Sequence, residues 1–205
     1  IDERKREELS TTLRAETDPL TGVYNRAAFA ARVEKAMRSA KPGSCHALMM
    51  LDIDGFKMVN DVFGHGAGDQ ALIDIAHSLK SSLRRSDLIG RLGGDEFLVF
   101  MENIPNDNAA VNKAKQICAL TRKSFSARVT ISGSIGIVLC PRDGNDFETL
   151  YKKVDTALYY VKGSGRDNYA FYRSDMQEEH PRLPEEVTPA VNMPPSARKR
   201  RMLIV

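Results

Sequence analysis

Residues 46–53 constrain this chain most, because a compact apolar run (Ala47, Leu48, Met49, Met50, Leu51) ends directly in acid at Asp52 and Asp54. So short and continuous a run predicts a strand buried on both faces, since a strand covered on one face only would alternate. It carries Asp52 and Asp54 to its carboxyl end, and a strand covered on both faces needs helices on either side.

The flanking segments supply those layers. Asn25 is placed to cap a helix whose Phe29, Val33, Ala36 and Met37 share one face. After a predicted Gly-rich bend at Gly64, Gly66 and Gly68, the positions Leu72, Ile75, Ala76, Leu79 and Leu83 keep helical spacing. Two short strands, 88–92 and 97–101, flank Gly93-Gly94-Asp95-Glu96, a hairpin whose glycines permit positive φ and whose tip carries two acids. A helix around Ala110, Ala114, Ile117 and Cys118 precedes a strand in which Val129, Ile131, Ile135, Ile137 and Leu139 recur. Phe147, Leu150, Tyr151, Val154, Leu158 and Val161 mark a last helix that stops near Gly163 and Gly165, and 169–172 closes as a short strand. The expected class is α/β, with a single mixed sheet flanked by helices.

The ends read differently. Residues 1–17 are mostly charged, with only Leu9 and Leu13 as an apolar pair, and read as a helical lead-in or linker. Residues 173–205 are interrupted by Pro181, Pro184, Pro189, Pro194 and Pro195 and read as a flexible linker. Its close, Arg198-Lys199-Arg200-Arg201 before Met202-Leu203-Ile204-Val205, resembles the entry to a receiver-like domain, but from this chain alone it reads first as a solvated basic run. A chain that opens on Ile1 is expected to be excised from something longer, with flanking signalling domains outside it. The domain itself is expected to span 18–172.

Composition excludes several classes. A net charge of +3 with no evident basic face gives no argument for nucleic-acid binding. Cys45, Cys118 and Cys140 have neither zinc nor disulfide spacing, which suits a reducing cytoplasm. No apolar run approaches the ~20 residues that span a bilayer.

Chemistry concentrates in Asp52, Asp95 and Glu96, three carboxylates beside strands. Such hard oxygen donors suit Mg²⁺ or Mn²⁺, for which one or two protein carboxylates plus phosphate oxygens suffice. Standing alone, they read first as solvated acids at strand ends and in a turn. Isolated cations accompany them: Lys57 after the acidic strand, and Lys162 with Arg166 around the glycines ending the last helix, where they also complement a helix C-terminus.

Arg91-Leu92-Gly93-Gly94-Asp95-Glu96-Phe97 resembles the signature of the GGDEF family. Other segments resemble that family in the right order. They are Asp18-Pro19-Leu20-Thr21-Gly22 with Asn25-Arg26, Asp52-Ile53-Asp54-Gly55-Phe56-Lys57 with Asn60-Asp61, and Phe63-Gly64-His65-Gly66-Ala67-Gly68-Asp69. Ser134-Ile135-Gly136-Ile137, and Ala157-Leu158-Tyr159 leading to Lys162 and Gly165-Arg166, complete the set.

The resemblance implies a nucleotidyl-cyclase palm-like fold and a diguanylate cyclase that condenses two GTP into cyclic di-GMP and two pyrophosphates. By it, Asp52, the Ile53 carbonyl, Asp95 and Glu96 hold Mg²⁺ or Mn²⁺, and Glu96, Asp95 and Lys57 are catalytic. Asn60 and Asp69 read guanine; Phe56, Gly93 and Gly94 line the nucleotide; Lys57, Lys162 and Arg166 hold its phosphates. Each domain binds one GTP, so catalysis requires a homodimer. Arg84-Arg85-Ser86-Asp87 resembles the family's RxxD motif, which implies an inhibitory site where Arg84 and Asp87 bind cyclic di-GMP. The alternative is a catalytically idle domain that binds GTP or cyclic di-GMP and signals to a neighbour.

Overall fold

In the computed structural model, residues 15–176 are described. Most of the charged lead-in and the segment from 177 onward, with its Arg198–Val205 close, lie outside the described residues.

The buried run forms the predicted strand, β2 (His46–Asp54), with every residue buried. It sits between β4 (Glu96–Met101) and β6 (Val129–Cys140), antiparallel to both. β3 (Leu88–Gly93) pairs with β4 through the Gly-Gly hairpin, and β1 (Tyr24–Asn25) adds to β3 in parallel. β5 (Lys123–Ser126) and β7 (Tyr169–Phe171) both pair with β6. The result is one mixed sheet of seven strands in the order β1-β3-β4-β2-β6-β5, with β7 also on β6.

Five helices flank it among the described residues: α1 (Arg26–Arg38), α2 (Phe56–Phe63), α3 (His65–Ser82), α4 (Asp107–Thr121) and α5 (Phe147–Gly163). Alternate residues of β2 supply two separate cores. Ala47, Met49, Leu51 and Ile53 pack with Leu72, Ile75 and Leu79 of α3 and with Ala110, Ala114 and Ile117 of α4. Leu48 and Met50 pack with Phe29 and Val33 of α1 and with Leu150, Val154 and Leu158 of α5. Burial on both faces is why this strand shows no alternation. Asn25 caps α1 as expected, its Oδ1 accepting from the Ala28 N–H at 3.0 Å.

The predicted Gly-rich bend is narrower in the structure. Only Gly64, at φ +84°, breaks the chain; Gly66 and Gly68 lie inside α3. α2, β1 and β5 had no signal in the sequence, being two to eight residues long and dependent on neighbours for definition. No described helix is long and apolar enough to cross a membrane.

Candidate active site

Antiparallel pairing of β2 with β4 sets Asp52 directly opposite Glu96, and the backbone N–H of Ile53 donates to the Asp95 carbonyl at 3.3 Å. The strand end and the hairpin tip therefore form one acidic centre from segments about forty residues apart in sequence. Gly93 and Gly94 adopt φ of +141° and +52°, which a side chain would oppose.

The hairpin is fixed from behind by Arg91. Its Nε and Nη2 donate to the Gly94 carbonyl at 3.0 and 2.6 Å, while Nη1 pairs with Asp18 Oδ1 at 3.0 Å. Burial raises the Asp18 pKa, but hydrogen bonds from Thr21 and Arg91 outweigh it and hold the carboxyl below its ordinary range. Arg91 and Asp18 thus join two motif segments 73 residues apart in the chain, a positioning role with no signal in the sequence.

The acidic centre is electrostatically crowded. Burial, and then the charge of Asp52, push the Asp95 carboxyl above its ordinary range. Glu96 is raised by the same two causes in the same order. The nearest balancing cation is Lys162, in the last turn of α5, whose Nζ lies 2.7 Å from Asp52 Oδ2. An acidic centre with one lysine as counter-ion has the chemistry to accept a hard divalent cation. No three carboxylate, imidazole or thiol side chains converge as a ready-made cage among the described residues. Mg²⁺ needs none, because it is commonly held by one or two carboxylates with waters and substrate phosphates.

Arg166 lies just beyond α5, 60% exposed, with Nε 3.7 Å from Asp54 Oδ1. Lys57 is exposed on the first turn of α2, followed one turn later by the half-buried Asn60. Asp69 is exposed on α3, next to the buried Gly68. A Cβ on Gly68 would come within 2.0 Å of Asn60 Oδ1 and 3.2 Å of Phe56 Cζ. Gly68 is therefore glycine because α2 packs against α3 here, and this contact sets where the Asn60 amide lies. The sequence carried no separate signal for it.

Arg84 and Asp87 fall elsewhere, in the turn between α3 and β3. They line a cleft of about 420 Å³ with Tyr24, Lys80, Leu83 and Arg85. A larger cleft, about 610 Å³, lies between the C-terminal half of α1 and His46, Glu102 and Asn103. It contains none of the carboxylates of the acidic centre.

The family model for "Diguanylate cyclase, GGDEF domain" matches residues 15–168, and the chain belongs to the GGDEF family. It is 38% identical over 162 residues to the bifunctional diguanylate cyclase/cyclic di-GMP phosphodiesterase MucR of Pseudomonas aeruginosa, a match covering 78% of this chain and 24% of MucR. The chain thus spans about a quarter of that relative's length. Among solved structures, the GGDEF domain of TpbB from P. aeruginosa superposes with a TM-score of 0.73 at 34% identity, covering 80% of this chain and 98% of that one. The coiled coil and GGDEF domain of DgcB from Caulobacter crescentus, in complex with c-di-GMP, superposes at 0.71 with 27% identity, covering 82% and 92%.

Proposed function

We propose that this domain is an active diguanylate cyclase that converts two GTP into cyclic di-GMP and two pyrophosphates. One observation carries the reading: strand register sets Asp52 opposite Glu96, the Asp95 backbone is bonded to Ile53 beside them, and Lys162 pairs with Asp52. Idle members of the family typically lose a hairpin acid or the metal aspartate, and this chain keeps Asp52, Asp95 and Glu96.

In each half of the reaction, the 3′ oxygen of one GTP forms a bond to the α-phosphorus of the other. The bond from that phosphorus to the α,β-bridging oxygen breaks, pyrophosphate leaves, and the hydroxyl proton passes to a base. Asp52, the Ile53 carbonyl, Asp95 and Glu96 would hold Mg²⁺ or Mn²⁺, which supplies polarisation of the phosphoryl group and stabilisation of the attacking and leaving oxygens. Glu96, with its raised carboxyl, and Asp95 flank the reacting phosphate; Lys57, Lys162 and Arg166 neutralise the triphosphate. Phe56, Gly93 and Gly94 line the nucleotide. Because one domain holds one GTP, two copies face each other as a homodimer, in the cytoplasm where GTP is supplied. The test is direct: purified protein with GTP and Mg²⁺ yields cyclic di-GMP by mass spectrometry. An intact, folded protein that yields none overturns the assignment.

Guanine selection is assigned to Asn60 and Asp69. A carboxylate accepts from the N1 and N2 hydrogens of guanine, which adenine does not present, while an amide both donates and accepts. Asp69→Ser should reduce the preference for GTP over ATP by roughly 10- to 150-fold in kcat/KM, the range for a charge-assisted hydrogen bond. Unchanged preference excludes Asp69 from the pocket.

Gly68→Ala gives an independent check. Alanine favours the helix by up to about 1 kcal/mol over glycine, but its Cβ displaces the Asn60 amide. The expected result is a native melting transition with KM for GTP raised about 2- to 12-fold, equivalent to one lost neutral hydrogen bond. An unaltered KM shows that Asn60 does not bind the base.

A further inference from the structure

Asp54 is a buried carboxylate that the reaction above leaves without a task. It lies two residues beyond Asp52, on the same face of β2, yet its contacts are separate. The Ser132 hydroxyl donates to Asp54 Oδ2 at 3.0 Å, and the Ser134 hydroxyl donates to Oδ1 and Oδ2 at 2.9 and 2.8 Å. The backbone N–H of Asp167 donates to Oδ2 at 3.2 Å, and Arg166 Nε forms an ion pair with Oδ1 at 3.7 Å.

The loop it touches is unusual. Gly165, Arg166 and Asp167 run consecutively at φ of +114°, +64° and +47°. Two adjacent non-glycine residues in the left-handed region crowd Cβ against the backbone, and such a loop persists only where its surroundings hold it. Three further contacts help. The Arg166 N–H donates to the Val161 carbonyl at 3.1 Å, Arg122 Nε donates to both Asp167 carboxylate oxygens at 3.0 and 2.8 Å, and the Ile135 N–H donates to the Asn168 carbonyl at 2.9 Å. Asp54 differs from these in reaching both the loop backbone and the Arg166 guanidinium.

We propose that Asp54 is a positioning residue that straps residues 165–167 to the end of β2 and presents Arg166 to the triphosphate. Two serine hydroxyls from β6 fix the plane of its carboxylate, leaving it to orient the loop. Asp52 and Asp54 then divide the work of one strand end: Asp52 serves the acidic centre, and Asp54 the phosphate-binding cation. This inference rests on the function proposed above.

Calorimetric titration tests it on the full chain in Mg²⁺ with two probes. One is a GTP analogue with methylene between the α and β phosphorus atoms, which cannot release pyrophosphate; the other is GMP, which lacks the phosphates Arg166 would meet. Asp54→Asn should weaken the analogue about 10-fold, as expected for a charge-assisted contact disturbed, while GMP binding stays at the parental value. In an Arg166→Ala background, Asp54→Asn should add about twofold or less, because two residues acting through one contact are not additive. Arg122→Ala, which frees the loop from the surface side, should shift analogue binding in the same direction by a smaller factor; this variant carries the test if Asp54→Asn fails to fold.

Parental binding of the analogue by Asp54→Asn overturns the proposal. So does equal weakening of analogue and GMP, or an undiminished loss in the Arg166→Ala background. With Asp54→Asn unfolded, parental binding by Arg122→Ala overturns it. A folded parent that binds neither probe overturns the proposed function and this inference together, so the two failures are distinguishable.

Discussion

Asp52→Asn should lower cyclic di-GMP formation on the order of 10²- to 10³-fold or more, the scale on which removing a metal-ion contribution of several kcal/mol acts. Asparagine keeps the shape and the place in β2 but withdraws a charge from the centre that Asp95 and Glu96 share. Substrate phosphates would then meet Lys162 without its 2.7 Å partner, which alters their placement as well as the metal's.

The fold should persist, and its pH dependence should change in a defined direction. Asp95 and Glu96 are raised first by burial and then by Asp52, so both hold their protons to higher pH in the folded protein than in the unfolded chain. The stability they contribute is fully present below their unfolded values, about 4, and is lost as pH rises through their elevated folded values. In a chelator, parental stability should therefore fall over that window, and Asp52→Asn should show a shallower fall because one cause of both shifts is gone. The activity of purified variants and their melting temperatures across pH measure both. Near-parental activity with a native melting curve would sink the assignment of Asp52.

Arg84→Ala should weaken cyclic di-GMP binding by roughly 10- to 150-fold, the range for a lost charge-assisted contact, while leaving the initial rate unchanged. The structure makes this substitution the cleaner of the two in the motif. Asp87 accepts from the Arg84 N–H at 2.9 Å and from the Glu102 N–H at 3.3 Å, so it also closes the turn and ties it to the end of β4. Replacing Asp87 would disturb both. Arg84 makes only backbone bonds in that turn, and its exposed guanidinium has no hydrogen-bond or ion-pair partner among the described residues. It borders the cleft of about 420 Å³ with Lys80 and Arg85, and a cation-rich cleft suits a ligand with two phosphates. Progress curves of the variant should slow later than the parent's or not at all, and calorimetry should show the weaker binding. If Arg84→Ala binds cyclic di-GMP as the parent does and slows at the same product concentration, the motif is only the charged turn after a helix.

Elements whose chemistry is local were legible from the residues alone. A continuous apolar run made β2 legible because burial on both faces tolerates no alternation, and Asn25 signalled the start of α1 through its own cap. Gly93 and Gly94 marked a hairpin because their backbone conformation is costly for other residues. The candidate carboxylates were legible for the same reason: Asp52 ends one such run, and Asp95 and Glu96 follow the glycines.

Features that depend on partners distant in the chain were not legible there. The sheet order, the pairing of Asp52 with Glu96, and the clamp from Arg91 to Asp18 across 73 residues arise from strand register and packing, which no window of sequence contains. Gly66 and Gly68 read as a bend because glycine is ordinarily a weak helix former; the helix stands because α3 packs into the core, and Gly68 is needed where α2 presses Asn60 against it. Asp52 and Asp54 looked alike in sequence, as two acids at one strand end. The family resemblance gave Asp52 a role and Asp54 none; folding supplied the physical difference, bringing Glu96 and Lys162 to the first, and two serines and a strained loop to the second.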